Sequence, residues 1–488
     1  MTNPYLGFVS MFRSRGNSPC ATVRLIAILL FLNLLAGCSC KSLPEGLSYA
    51  GGLHATKDIT FLKDLTYVDT EGTRQVEQEI FDEAFALIAG AEKLVLIDMF
   101  LYNDFQGPSP EETRLLSGEL TDLLIEQKKK KPAMDIIVIS DPVNDVYGGM
   151  PSKQFARLRE AGISVTITDL DRLRDSNTFY SPFWRIFLKP FGNREGGLLP
   201  NPFGGQRVSL LTYMKLLNFK ANHRKVLIAD SGETYVGFIT SANPHDGSSA
   251  HGNVAVKFSG PAVSDLLATE LAVLAFSGTE PAPQINLETV EQVSDVTLQV
   301  VTEKKIKDAI LDSIEGHGDK DRIDITMFYL ADRDVIHALK KAEKRGVVLR
   351  VLLDPNKDAF GRKKNGIPNR QVARELHRSG IPVKWCDTHG EQCHAKMLLA
   401  SKQKGDSTII LGSANFTRRN LEDFNLETDV IIRGRPEAKV FQDAANYFAM
   451  VWNNNPRHYS VDYPAYEDNS IVRRMLYRIM EGTGMSSF

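Results

Sequence analysis

The sequence predicts two similar α/β domains in one chain, each a mixed sheet with helices on both faces. Three observations carry that prediction. The chain has 488 residues, too many for one core and enough for two. Its strand-like and helix-like stretches alternate, which calls for sheets covered by helices. The order of those stretches then occurs a second time, and each pass ends in a hairpin carrying the same polar residues.

In chain order, the N-terminus reads as an export signal. Arg13, Arg15 and Arg24 precede an apolar run at 25–35, too short to cross the ~30 Å of bilayer hydrocarbon. The run ends in Leu35-Ala36-Gly37-Cys38, the small-residue pattern of a cleavage site. Leu-Ala-Gly-Cys looks like a bacterial lipobox. It implies a signal peptide over 1–37, a lipidated Cys38 and a small, polar tether over 38–60. The expected location is lipid-anchored in a bacterial envelope, facing the periplasm, on the outer membrane rather than the inner. Two or three acyl chains anchor stably where one is marginal.

The first repeat begins with an apolar strand at 93–100, followed by a helix at 111–131. A second strand, 136–140, runs into Asp141-Pro142. A further helix stops at Gly162, and a third strand follows. The second repeat has its strand at 322–328, its helix at 333–345 and a strand running from 349 into Asp354-Pro355. Its next helix stops at Gly380. Neither half carries a Gly-rich dinucleotide fingerprint after its first strand.

The hairpins hold the chemistry. The first reads Asn222-His223-Arg224-Lys225, then four apolar residues, Asp230, a turn at Ser231-Gly232, a strand and Thr240-Ser241-Ala242-Asn243. The second reads Cys393-His394-Ala395-Lys396, an apolar strand, a turn at 404–406, a strand and Gly412-Ser413-Ala414-Asn415. His223 lies 20 residues before Asn243, and His394 lies 21 before Asn415. Alternate residues of a strand share a face, so each histidine points the same way as its lysine.

Between the third strand and His223 the first repeat carries an insertion, 170–222, absent from the second. It contains Phe179, Tyr180, Phe183, Trp184, Phe187 and Phe191, with Arg185, Lys189 and Arg194 among them. That mixture fits either an excursion packed on its own domain or a lipid headgroup boundary. Near the C-terminus, 470–481 is an amphipathic helix with Ile471, Val472, Met475, Leu476 and Ile479 in a stripe. Such a helix more often caps a domain than touches a membrane.

Formal net charge is −2 and hydrophobic content 43%, so bulk charge gives no sign of a nucleic-acid partner. Of five cysteines, Cys386 and Cys393 flank a short loop. They either pair in an oxidising compartment or stay separate and buried. No zinc spacing is present, and no metal or cofactor is expected.

The paired motifs resemble the phospholipase D superfamily, whose signature is His-x-Lys, four residues, Asp, then Gly-Ser-x-Asn. The resemblance covers most of the chain after about residue 60. It implies two α/β/α sandwich domains, 61–290 and 291–462, with an active site at their interface and a tail over 463–488. It also implies a phosphodiesterase acting on phospholipids through a phosphohistidine, by headgroup hydrolysis or phosphatidyl transfer as in cardiolipin synthases. A nuclease or an inactive lipid-binding scaffold are the alternatives. The expected partners are a phospholipid substrate and, through Cys38, a membrane.

By that resemblance His223 is the nucleophile and His394 the acid/base. Lys225, Lys396, Asn243 and Asn415 hold phosphate oxygens, with Ser241 and Ser413 as secondary donors and Asp230 and Glu427 as the carboxylates of the catalytic set that fix a histidine's tautomer and raise its basicity. The chain departs from the pattern in three places. Ser401 stands where the second motif wants Asp, and Thr240 stands where the first wants Gly. Asn253 and Asn425 each follow the motif asparagine by ten residues, which sets Ala255 against Glu427.

Overall fold

The computed structural model describes residues 42–107, 111–178, 180–279, 285, 293–359, 362–486 and 488. The expected signal peptide, Cys38 and Phe179 lie outside the described residues. In chain order the first strands are β1 (His54–Ala55), β2 (Ile59–Val68), β3 (Arg74–Gln78), β4 (Leu94–Met99) and β5 (Asp135–Ser140). Next come β6 (Ser164–Ile167), β7 (Lys225–Ser231), β8 (Thr234–Thr240) and β9 (Asn253–Ser259). All but β1 form an eight-stranded sheet in the order β3-β2-β9-β8-β7-β4-β5-β6.

The second half supplies β10 (Thr297–Thr302), β11 (Arg322–Met327), β12 (Val348–Leu353) and a small hairpin of β13 (Asp358–Ala359) and β14 (Arg362–Lys363). It continues with β15 (Val383–Cys386), β16 (Lys396–Ser401), β17 (Ser407–Gly412), β18 (Thr428–Gly434) and β19 (Ser460–Asp462). The nine-stranded sheet runs β1-β10-β18-β17-β16-β11-β12-β15-β19. In both sheets the strand carrying the motif lysine is central and antiparallel to the strand that opens the repeat. β4 pairs β7 as β11 pairs β16.

Alternation along the strands decides what each sheet covers. Leu96, Val226 and Ile228 face the seam between lobes, in one core with Leu399, Ile409 and Leu411 of the other sheet. Their neighbours Val95, Ile97, Leu227 and Ala229 face outward, under the helices Ile80–Gly90 and Leu116–Lys130. The helices Ala262–Phe276 and Lys439–Asn453 complete the seam. With each large side chain there contributing about 1.5–3 kcal/mol, the lobes are held as one body. Arg224, fully buried, adds a polar clasp: it meets Glu270 of its own lobe at 3.1 Å and Glu303 of the other at 2.7 Å.

Three expectations change. The stretch read as a free tether is built into the seam from residue 42 on. β1 joins the second sheet, Leu47 is buried, and the Tyr49 hydroxyl donates to Asp265 at 2.8 Å. The helix expected from 111 begins at Leu116, because Arg114 is held by Asp82 at 2.7 Å and Glu111 by Arg74 at 2.6 Å ahead of it. The C-terminal helix, Ile471–Thr483, is capped by Ser470 but turns its apolar stripe to solvent. It packs on the second lobe instead through Tyr477, whose hydroxyl donates to the Ala331 carbonyl at 2.9 Å.

Candidate active site

Each motif histidine stands just before a central strand, and the opposite lobe fixes it. The His223 amide donates to the Leu426 carbonyl at 2.8 Å, and the His394 amide to the Gly252 carbonyl at 2.7 Å. The residue before each histidine is held by the aspartate of the repeated Asp-Pro. Asn222 N–H donates to Asp141 at 2.7 Å, and Cys393 N–H to Asp354 at 2.8 Å. Cys393 is also joined to Cys386 by a disulfide, which closes the loop leading into His394.

The ring nitrogens show where the two halves differ. His223 Nδ1 lies 2.9 Å from Glu427 Oε2, across the interface. His394 Nδ1 lies 3.1 Å from Asn253 Oδ1, again across the interface. A carboxylate accepts only, so His223 carries its proton on Nδ1 and leaves Nε2 as a lone pair. Glu427 is therefore the partner of the first histidine, not of the second within its own lobe.

The counterpart of Glu427 is Asn253, not Ala255. The Ser413 hydroxyl donates to Glu427 at 2.5 Å and the Ser241 hydroxyl to Asn253 at 2.9 Å. Register agrees: Thr240 opposes Ala255 as Gly412 opposes Asp429. The second copy has two extra residues between its motif asparagine and this partner, so equal spacing misled the alignment. Ser241 and Ser413, expected to bind substrate, are fully buried and spent on these partners; they position rather than bind.

The same register explains Thr240. A Cβ at Gly412 would meet Asp429 Oδ1 at 2.4 Å, so glycine is required there. In the first lobe Ala255 leaves room, and the Thr240 hydroxyl accepts from Ala242 N–H at 2.9 Å. Asp429 performs that task for Ala414 at 3.0 Å. The motif asparagine is thus Asn243, which lines the same cavity as Asn415.

Asp230 is not in the site. Seven residues of strand at about 3.3 Å each place it ~23 Å from His223. Its carboxylate accepts from the backbone N–H of Glu92, Lys93 and Leu94 at 2.7–2.9 Å, fixing the start of β4. Ser401 occupies the same far end of β16, facing Arg322. The missing second aspartate therefore removes nothing from the neighbourhood of His394.

Lys225 and Lys396 are buried beneath the histidines, each donating to its own histidine's carbonyl at 2.7 Å. Each also lies over the ring that flanks its histidine. Lys225 is 5.1 Å from Phe100 and Lys396 5.2 Å from Phe328. Those rings sit 4.6 Å from His223 and 4.8 Å from His394, centre to centre. The lysines thus lie under the site, held by backbone carbonyls, rather than exposed at its surface.

Both imidazoles and both asparagines line one cavity of about 510 Å³ at the lobe interface. Its remaining wall is largely apolar, with Tyr147, Phe203, Leu216, Phe219, Tyr329 and Phe488. Arg419 lines it as well, and its buried Nε has no protein partner. Burial, then the charges of Lys225 and Lys396, holds His223 well below the usual imidazole range. Burial, then Lys396, does the same to His394. Burial brings Lys225 down to about 7 and Glu427 up to about 7.

Asn253, Asp141, Asp354, Phe100, Phe328 and Arg419 complete the site without having been expected there. A sequence signal existed for four of them: both repeats carry Asp-Pro after the second strand and Met-Phe after the first.

Comparison with known proteins accords with this geometry. Residues 317–452 match the family model described as cardiolipin synthase, PLD-like domain. Cardiolipin synthase B of Shigella flexneri is 24% identical over 239 residues, 47% of this chain and 55% of that protein. The chain thus spans about half the length of that curated relative. The crystal structure of phosphatidylserine synthase from Haemophilus influenzae Rd KW20 is 11% identical. It covers 93% of this chain and 98% of its own, with a TM-score of 0.52, a likeness of fold. Residues 317–452 are thus similar to a cardiolipin synthase-type, PLD-like domain, and the two-lobed fold extends across nearly the whole chain.

Proposed function

We propose that the chain exchanges the phosphodiester of a phospholipid through a covalent phosphohistidine. One observation carries the reading: two imidazoles with fixed Nδ1 partners face one cavity whose other walls are mostly apolar. An anionic diester needs a nucleophile, charge to receive it and an acid for the leaving alcohol. The apolar wall suits a substrate with hydrocarbon attached.

His223 Nε2 attacks phosphorus, and the positive charge that develops on its ring is met by Glu427. The bond from phosphorus to the leaving oxygen breaks as His394 Nε2–H gives that oxygen its proton. In the second half, His394 Nε2 takes a proton from water or an alcohol, whose oxygen displaces His223 and breaks the P–N bond. Asn243 and Asn415 donate to the non-bridging oxygens, and the buried lysines offset their charge. Hydrolysis and phosphatidyl transfer share this first half and differ in the acceptor. The reading includes a lipid-anchored protein at a bacterial envelope, supported by the lipobox pattern at Cys38 and the disulfide.

The test incubates the purified full chain with mixed phosphatidylglycerol and phosphatidylethanolamine vesicles in EDTA and resolves the lipids by mass spectrometry. His223→Ala and His394→Ala each remove a group worth roughly 10²–10⁴-fold. Cardiolipin lost in both variants identifies a transferase, and phosphatidic acid lost in both a hydrolase. No lipid product from the unaltered chain refutes the proposal.

A further inference from the structure

We infer that the insertion and the C-terminal helix together form a docking surface for an anionic lipid bilayer, set around the mouth of the catalytic cavity. The inference rests on the lipid-substrate reading above and adds where and how the protein meets its substrate's surface.

Exposed apolar side chains are not spread over the molecule. Eighteen large hydrophobic residues are exposed among the described residues. Seven lie in the insertion and six in the last helix and the turn after it, leaving five for everything else. Phe191 is 78% exposed and Val472 75%. Helical periodicity makes this a face rather than scatter: Ile471, Val472, Met475, Leu476 and Ile479 share one side, while Tyr477 and Glu481 pack inward. Exposed apolar side chains gathered on two adjoining elements mark an interaction site.

The two elements adjoin each other and the cavity. Gly484, just past the helix, approaches Ser176 so closely that a Cβ would lie 1.8 Å from its carbonyl oxygen. Ser176 and Asn177 bond the carbonyls of Leu217, Asn218 and Phe219 at 3.0–3.1 Å. Leu216, Phe219 and Phe488 then carry the apolar surface into the cavity itself.

Charge selects the occupant. The insertion, residues 170–222, contains eight basic residues and three acids (171, 175, 195); Asp171 and Asp175 pair with Lys189, Arg185 and the buried Lys220, and a net positive excess remains. Residues 471–488 contain Arg473, Arg474 and Arg478 against Glu481, which is buried. The whole chain carries −2, so these two segments hold a local positive excess beside apolar side chains. Cations at the rim of an apolar face describe a surface that lies in an anionic headgroup layer. No described helix is long and apolar enough to cross a membrane, which fits a face that rests on the bilayer.

The test compares the full chain with Phe187→Glu/Phe191→Glu and Val472→Glu/Met475→Glu, exposed positions outside the catalytic cluster. Turnover is read on phosphatidylglycerol vesicles and on dihexanoyl phosphatidylglycerol kept below its micelle concentration. Hydrogen exchange is followed over 180–217 and 471–485. Docking predicts at least a tenfold loss on vesicles, short-chain turnover within twofold, and vesicle-dependent protection of both segments. Unchanged vesicle turnover in both variants overturns the docking face while leaving the lipid reading intact. Protection without lipid, together with a dimer that the variants dissolve, also overturns it and assigns the face to a second copy. If the unaltered chain turns over neither lipid, the functional reading fails, and exchange protection on vesicles alone decides docking.

Discussion

Replacing Glu427 by Gln tests the division of labour between the histidines. The substitution keeps an oxygen within reach of His223 Nδ1, now 2.9 Å from a carboxylate, but removes its charge. A hydrogen bond to a charged partner contributes about 1.5–3 kcal/mol, and in the proposed mechanism that contribution is needed as His223 becomes cationic on phosphorylation. The rate of phosphoenzyme formation should therefore fall roughly tenfold to 150-fold. Gln also sets an amide against Asn420, which donates to the same carboxylate, so the loss belongs at the upper end. Asn253→Ala leaves the buried His394 Nδ1–H and Ser241 hydroxyl without their acceptor, about 1–3 kcal/mol, and should cost roughly fivefold to 150-fold. Single-turnover acid quench with a labelled phosphatidyl substrate reads the formation rate, and peptide mass spectrometry locates the adduct. An adduct on His394, or a Glu427→Gln rate within about threefold of the unaltered chain, would falsify the assignment.

Two further outcomes follow from the same geometry. Asp230→Ala leaves three backbone donors near Leu94 without an acceptor. The Leu94 donor is buried and those of Glu92 and Lys93 only partly so, so at about 1–3 kcal/mol for an unsatisfied buried donor it should lower stability in urea by about 1–3 kcal/mol. Activity per folded molecule should stay within twofold, and Ser401→Asp should bring no gain; a tenfold fall in kcat at unchanged stability would contradict the remote placement. The pH dependence has a defined sign. His394 must be protonated to act as the acid, and burial with Lys396 holds its pKa well below 6.5, so its acid form grows as pH falls. Lys225, at about 7, gains its charge in the same direction. His223, also lowered, stays neutral longer than an ordinary imidazole. Glu427, at about 7, loses the charge that serves His223 over the same range, so kcat/KM should rise as pH is lowered from 9 toward 7 and level off below it; a profile rising from pH 7 toward 9 would refute this.

By itself the sequence determined the repeat, the two lobes and the polar residues that meet at one cavity, His223, His394, Asn243 and Asn415, with Lys225 and Lys396 beneath them. Those are local facts: a two-residue alternation, an apolar run and a turn are written in consecutive residues. What crosses the interface was decided only by tertiary structure. Glu427 reaches His223 and Asn253 reaches His394 because the opposite lobe presents them, and no spacing along one chain segment encodes a contact made between two. The serines and Asp230 fall on the other side of the same line. They carry the residue types that phosphate chemistry uses, yet burial commits Ser241 and Ser413 to positioning, and strand length puts Asp230 at the far end of β7. The C-terminal stripe was legible as amphipathic. That it faces outward was not, since amphipathicity fixes that a helix has two faces, and only packing through Tyr477 and Glu481 decides which of them the protein covers.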